Sequence, residues 1–455
     1  MTIVLLLGLL GALSAAPQTF VLEASENVWD VAALEIDAGR PRDVFVLCCD
    51  EKSYPLRKAL CVYAADDTGT YAPKPAFTIA FESSVSTLFF AEVDGRAPKE
   101  LVAADAAGAT IYGFRNGAHE ALGTPRFSSL LPNNSKEPIF LKDAAKDLDG
   151  DGIDEWLIPV PTGVEVRTPE DALASVTCDV VSEIHHGESA YIIHRLPACQ
   201  PFDLADTPQK GLAFLSDEFA DFAYGAQWAQ RERFRIPVNL EEKWEASAKM
   251  ADVDGNGFPD LMVTQTKGTI NLRTQTQIYV STARFKYPDT PTATYLSKGA
   301  IASPVMRDVD GDKKLDVVLI SIPFGLKNVV NFFVRGKISV DASVYLFNGK
   351  DFGSAPAFKT SLTMDAPEGR EQVAYAMDDF NGDGRLDMAF GQADDVFVVY
   401  TGEPERFVSA KPWARLSLPS FGQARPVDLN GNPAKDLLIF HPGGGNSKRV
   451  EVIVF

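Results

Sequence analysis

One short stretch, repeated along the chain, constrains this sequence more than any other. Asp147-Leu148-Asp149-Gly150-Asp151-Gly152-Ile153-Asp154-Glu155 carries acids at its first, third, fifth and ninth positions and glycine at its fourth, so a tight turn aims several carboxylates at one point. Four further copies keep oxygen-bearing side chains at those positions: Asp252, Asp254, Asn256 and Asp260; Asp308, Asp310, Asp312 and Asp316; Asp379, Asn381, Asp383 and Asp387; Asp428, Asn430, Asn432 and Asp436. Unneutralised, such charges repel. An oxygen-seeking cation such as Ca²⁺ takes roughly six to eight oxygens in flexible geometry, so the pattern predicts a hard-cation cage, built five times over.

Three more copies are eroded. Glu35, Asp37, Gly39, Asp43 lacks the fifth ligand; Glu92, Asp94, Arg96, Glu100 places Arg where that ligand belongs, which predicts no ion there; Asp203, Ala205, Thr207, Gly211 is the weakest. An EF-hand begins in the same way but requires a bidentate Glu at its twelfth position and a helix beyond it. Here the twelfth residue is Ile158, Val263, Leu319, Phe390 or Ile439, inside a short apolar run such as Trp156-Leu157-Ile158 or Val317-Val318-Leu319. Runs of this length read as strands. The loop therefore joins strand to strand.

The eight starts fall at residues 35, 92, 147, 203, 252, 308, 379 and 428, a period near 55 that marks a modular array. After each loop strand comes a second strand with an aromatic, as in Val62-Tyr63, Ile278-Tyr279-Val280 and Val344-Tyr345-Leu346, then a turn and an aromatic followed by Pro. About four short strands per unit make one propeller blade. The fold class expected is all-β: a single-chain β-propeller of eight four-stranded blades, or seven if the weak unit at Asp203 is an insertion. Beyond the last loop only residues 436–440 and 449–455 read as strands, so Thr19-Phe20-Val21-Leu22 is expected to complete that blade and close the ring. A ring closed within one chain points to a monomer.

Composition suits an exported, turn-rich β protein: 45% hydrophobic residues, 23% charged, 34 Gly and 29 Pro. The net charge of −19 falls to about −9 with five divalent cations bound, so much of the acidity belongs to the loops. Nucleic acid is excluded as a ligand, since its phosphates call for Lys and Arg. Ile3 to Leu13 is almost wholly apolar and ends in small residues, too short for a bilayer and suited to a signal peptide cleaved after Ser14. A buried first strand is the competing reading. No other segment is long and apolar enough to span a membrane. The five cysteines allow Cys48 or Cys49 to pair with Cys61, and Cys178 with Cys199, or all to remain buried thiols.

The loops at Asp147 and Asp308, each leading into a short apolar strand, resemble the FG-GAP or VCBS repeats of integrin-α-type propellers, across nearly the whole mature chain. The resemblance implies structural Ca²⁺, about five ions, held by side chains at positions one, three, five and nine and by the backbone carbonyl at seven: Ile153, Phe258, Lys314, Arg385 and Ala434. It implies a secreted, periplasmic or cell-surface module that binds protein or glycan without catalysis. The alternative is a polysaccharide lyase or other carbohydrate-active enzyme, for which His185, His186, His194 and Arg195 would have to gather over the central channel. Two insertions are expected, near 183–235 and near 322–340. The first holds these histidines and the stretch Phe219 to Arg235; the second spaces Leu326, Val329, Val330, Phe333 and Val334 like one face of a helix. No catalytic constellation is legible.

Overall fold

The structure, a computed structural model, describes residues 16–455 apart from 37–38, 116, 187–189, 206, 238–243, 269–272, 299, 324–334 and 367–371. The signal-peptide segment, Asp37 and the helix-spaced residues 326–334 thus lie outside the described residues. The described chain is all strand and turn save for one short 3₁₀ turn at Ala226–Trp228.

Eight antiparallel sheets follow one another around a β-propeller. Blades 1 to 6 begin at Asn27, Thr87, Ala145, Ala198, Glu245 and Ala300, and blade 7 at Tyr375. Blade 8 takes three strands from the C-terminal end, Gln423–Val427, Asp436–Phe440 and Arg449–Val454, and its fourth from Gln18–Glu23, which pairs antiparallel with the last. Phe20↔Val452 and Leu22↔Val450 set that register, as the sequence led one to expect. The ring is therefore closed by hydrogen bonds between the two ends of the chain, with Gln18–Glu23 as the outer strand of blade 8.

Strand alternation gives each blade two apolar faces, and each face packs against a neighbour. Eight buried clusters result among the described residues, one at each junction: Phe45 and Leu60 of blade 1 meet Leu88 and Leu101 of blade 2, and so on round to Leu22 and Val452 of blade 8 against Val31 and Val46 of blade 1. Blade 4 counts as a full blade, with strands Ala198–Leu204, Thr207–Leu215, Phe219–Tyr224 and Gln230–Arg235. Much of the stretch read as an insertion, 198–235, is thus regular blade. What stands outside the blades is a two-stranded hairpin, Val181–His186 with Ala190–Arg195.

Blade 2 gains a fifth strand the sequence did not suggest. Ile139–Phe140 pairs in parallel with the blade's first strand, Phe140 stacks on Phe90, and its N–H donates to Asp30 Oδ2 at 2.8 Å. Asp30 is buried and also receives Arg425 from blade 8 at 2.7 Å. The connection between blades 2 and 3 thus fastens the first strands of blades 1, 2 and 8 together. All five cysteines are free thiols, with Cys48, Cys49 and Cys61 buried.

Because Leu22 is fully buried at the closing junction, Leu22→Ala is expected to cost about 3 kcal/mol, as buried Leu truncations do. Urea unfolding followed by tryptophan fluorescence would read this as a lower midpoint.

Candidate metal centres

Each loop runs from the first strand of a blade to the second, and the second strand starts at the ninth loop residue: Glu155, Asp260, Asp316, Asp387 and Asp436. The loop interior is shaped by its own carboxylates. Asp147 Oδ1 accepts from Gly150 N at 2.7 Å and Asp308 Oδ1 from Gly311 N at 2.7 Å; Asp149 and Asp310 accept from the fifth-position N–H, and Asp151 and Asp312 from the seventh. The same ladder recurs at Asp252, Asp254 and Asn256, and at Asp379, Asn381 and Asp383. Asp428 and Asn430 supply its first two rungs in blade 8. In four of the loops the first acid accepts on both oxygens, its Oδ2 from the sixth-position N–H, and that oxygen keeps a further lone pair that could face a cation.

Three carboxylates converge, their oxygens within 4.8 Å of one another, at Asp147, Asp149 and Asp151; at Asp252, Asp254 and Asp260; and at Asp308, Asp310 and Asp316. Glu155 and Asp312 lie outside these groups, and Lys314 Nζ holds Asp312 at 2.9 Å. The loops at Asp379 and Asp428 place Asn at one and at two ligand positions, and no group of three converging acids is found there among the described residues. In the last, Asn432 donates to Phe455 O at 3.1 Å while its Oδ1 is buried without a partner, an unmet acceptor at the fifth ligand position.

Two loops depart from expectation. Glu92, Asp94 and Glu100 also converge, despite Arg96 at position five. Among the described residues no ion pair joins Arg96 to these acids; its backbone N–H donates to Glu92 at 3.0 Å, and the cations nearby are Arg115 at 4.0 Å from Asp94 and Lys99, which pairs with Asp154. The copy at Asp203 is no loop at all: Leu204 pairs with Thr207 across a tight turn, and Gly211 sits inside the second strand.

Position nine does something the pattern alone did not reveal. Its carboxylate is buried and accepts from the second loop residue: Leu148 N to Glu155, Val253 N to Asp260, Val309 N to Asp316, Phe380 N to Asp387 and Leu429 N to Asp436, at 2.7–2.9 Å. In four of these its other oxygen accepts an N–H just past the third strand, from Ser281, Phe347, Gly402 or Phe455. Burial raises these acids, the neighbouring loop acids adding to the effect: Asp260, Asp316 and Asp436 to about 6, Asp387 and Glu155 to about 7.

The loops also touch one another. The eighth residue donates to the preceding blade's loop, Asp154 N to Glu92 O, Leu315 N to Val253 O, Lys435 N to Asp379 O and Arg42 N to Leu429 O. Blade 5 has Pro259 there, which lacks an N–H; the contact is reversed, with Ala205 N donating to Gly257 O. Gly257 has φ +80° and a Cβ would come 2.6 Å from that of Ala205, so glycine is required on both counts.

Residues 243–319, which hold the loops at Asp252 and Asp308, match the family model of the FG-GAP-like repeat. The chain is a β-propeller that carries an FG-GAP-like repeat. No curated protein matches its sequence. Among solved structures this propeller is similar to the Tc holotoxin pore of Photorhabdus luminescens, at 12% identity and a TM-score of 0.35 over 92% of this chain, which spans 17% of that one. It is similar also to BBS1N in complex with ARL6DN, at 9% identity and 0.40 over 82% of this chain and 93% of that one, and to the Dos1 propeller, at 10% and 0.38 over 96% and 95%.

The raised ninth-position acids make the metal-free propeller pH-sensitive. Their folded pKa lies above the unfolded value, so the folded chain holds more protons between about pH 4 and 7, and stability falls as pH rises through that window. Melting in chelator at pH 5, 6 and 7 should show a declining midpoint. Separately, Asp316→Ala strands the buried N–H groups of Val309 and Phe347 and is expected to cost about 2–6 kcal/mol even in chelator, as a lower melting midpoint there would show.

Proposed function

We propose that this propeller is an exported binding module whose loops hold structural Ca²⁺, and that it recognises a protein or glycan rather than transforming a substrate. The observation that carries the reading is the convergence of three carboxylates in the loops at Asp147, Asp252 and Asp308. The donor set is all oxygen, which suits Ca²⁺ and disfavours softer metals. Asp147, Asp149 and Asp151, with their counterparts at Asp252, Asp308, Asp379 and Asp428, would supply side-chain oxygens, and Ile153, Phe258, Lys314, Arg385 and Ala434 a carbonyl each. Bound, the ion cancels the repulsion and draws the ends of two strands together. Because the cage exists only in the folded chain, binding stabilises the fold.

Export is supported by the apolar run Ile3 to Leu13 and by the acidity of the chain. The carbohydrate-active alternative asked for His185, His194 and Arg195 to gather as a polar lining over the channel. They lie instead on the hairpin outside the blades, where His194 faces Ser182 at 2.8 Å and Arg195 pairs with Glu183 at 3.3 Å, both in contact with solvent. That arrangement supports recognition over catalysis.

Asp310→Ala tests the assignment. It removes an ion ligand and leaves both backbone bonds of Asp316 in place, so it should lower the Ca²⁺ stoichiometry by one and the melting temperature in Ca²⁺, with no change in chelator. Equal loss in both media would reduce the loop to an ordinary turn. Glycan and protein arrays probed with and without chelator test the binding role, and any turnover of polysaccharide would overturn it.

A further inference from the structure

His441 is the only histidine found buried among the described residues, at 2% exposed, and it makes two hydrogen bonds that a neutral imidazole cannot make together. Its Nδ1 lies 2.5 Å from Phe421 O and its Nε2 2.7 Å from Glu451 Oε2. A carbonyl has no proton to give. Nor has the Glu451 carboxylate, fully buried, whose other oxygen accepts from Arg449 Nε at 2.9 Å. Both ring nitrogens must therefore donate, and imidazole carries two N–H groups only as the cation. Gly422 makes room for the ring: a Cβ there would come 2.8 Å from Nδ1 and 2.3 Å from Phe440 O.

The groups so joined belong to the blade that closes the ring. Glu451 lies on the strand Arg449–Val454, opposite Ile439 on one side and Val21 of the N-terminal strand on the other. His441 follows directly on the strand Asp436–Phe440. Phe421, on the link between blades 7 and 8, bridges to Val373, and beside it Gly422 N donates to Gln372 O at 2.6 Å. The imidazolium thus ties that link to the strand that receives the N-terminal one. Burial works against its charge, but Glu451 and the Phe421 carbonyl overcome this and hold its pKa above the usual histidine value. The other charged groups around it are Arg449, then Glu137, which lines the same cavity, and the pair of Arg425 with Asp30, Arg425 lying over the Phe440 ring; Asp436 stands at the far end of the second strand.

We propose that His441 is a proton-operated latch on the ring-closing blade: the imidazolium holds Phe421 and Glu451 at once, and the neutral ring lets Phe421 go. The single remaining N–H stays with the carboxylate, the stronger acceptor, so the proton passes to water from Nδ1 and leaves a lone pair facing the Phe421 carbonyl. The latch is whole below about pH 6.5, the unfolded histidine value, and is lost as pH rises through the higher folded value.

Histidine nitrogen spectra of the full chain in Ca²⁺ read the latch directly. His441 is expected to carry protons on both nitrogens at pH 6.5 and to lose the Nδ1 proton at a higher pH than the other four histidines lose theirs. Over the same range amide exchange at Gly422, corrected for its intrinsic rate, should rise by up to about tenfold per pH unit. The melting midpoint should fall in wild type and stay level in His441→Gln, the comparison cancelling the ninth-position acids that both chains share. The wild-type spectra and exchange decide the matter even where the variant does not fold. A neutral His441 at pH 6.5 overturns the proposal, as does a titration that leaves Gly422 exchange unmoved or a midpoint that falls equally in both chains.

Discussion

A buried carboxylate accepting backbone N–H groups from both sides is the contact on which each loop-bearing blade rests. Asp260 illustrates it: one oxygen takes Val253 N at 2.7 Å and the other Ser281 N at 2.6 Å, tying the loop after the first strand to the end of the third. A buried acid is costly unless it is well hydrogen-bonded, and the raised pKa shows that part of the cost persists. What it provides is position. With the second loop residue held by its N–H, that residue's apolar side chain is aimed at the neighbouring blade, and Val253, Val309, Phe380 and Leu429 each enter the cluster shared with the next blade.

The loop thus divides its labour. Position nine serves the fold and, as Asp260 and Asp316, also joins the acidic cluster; positions one, three and five carry the other oxygens that could hold a cation, and position eight links one loop to the last. Erosion of the copies follows this division. Blade 1 has lost ion ligands, yet Asp43 still accepts Ala65 N at 2.9 Å and Arg42 still bonds to blade 8. Blade 4 has lost the loop entirely, and only the inter-blade link survives, with Lys210 N donating to Leu148 O at 2.8 Å. A blade can shed its ion without shedding its place in the ring, because the links that hold it there do not pass through the ion.

The ring was legible in the sequence because its period survives even where its chemistry does not. The strand starts at Glu155, Asp260, Asp316, Asp387 and Asp436 and the closing strand around Phe20 all follow from pattern. What escaped was whatever depends on a bond rather than a residue type. An Asp that binds metal and an Asp that binds two N–H groups look the same in a string of letters, so the double role of position nine was invisible. Arg96 stands at a ligand position, but the cation nearest these acids is Arg115, 4.0 Å from Asp94 and outside the loop, while Lys99 within the loop pairs with Asp154 of the next blade. Phe219 to Arg235 looked irregular because Arg231 and Arg233 interrupt it; in the fold both bind Asp221, one face of an ordinary outer pair of strands. The strand Ile139–Phe140 is two residues long and parallel, and no periodicity can announce it.

These assignments place cation and core in parallel rather than in series. Every junction has its own apolar cluster, so the ring can close on hydrophobic packing alone, and the acidic loops gather where the first strand of each blade turns into the second. A cation there relieves repulsion at one rim and, through the second-position side chain, tightens the junction beyond it. Its influence should fade after the next blade, since adjacent loops share a backbone hydrogen bond but no ligand. The face opposite is where the first strands begin and where the hairpin projects, connected to the loops only through the length of the strands between. A cation in those loops would therefore act on that face only through the strands, without contacting it.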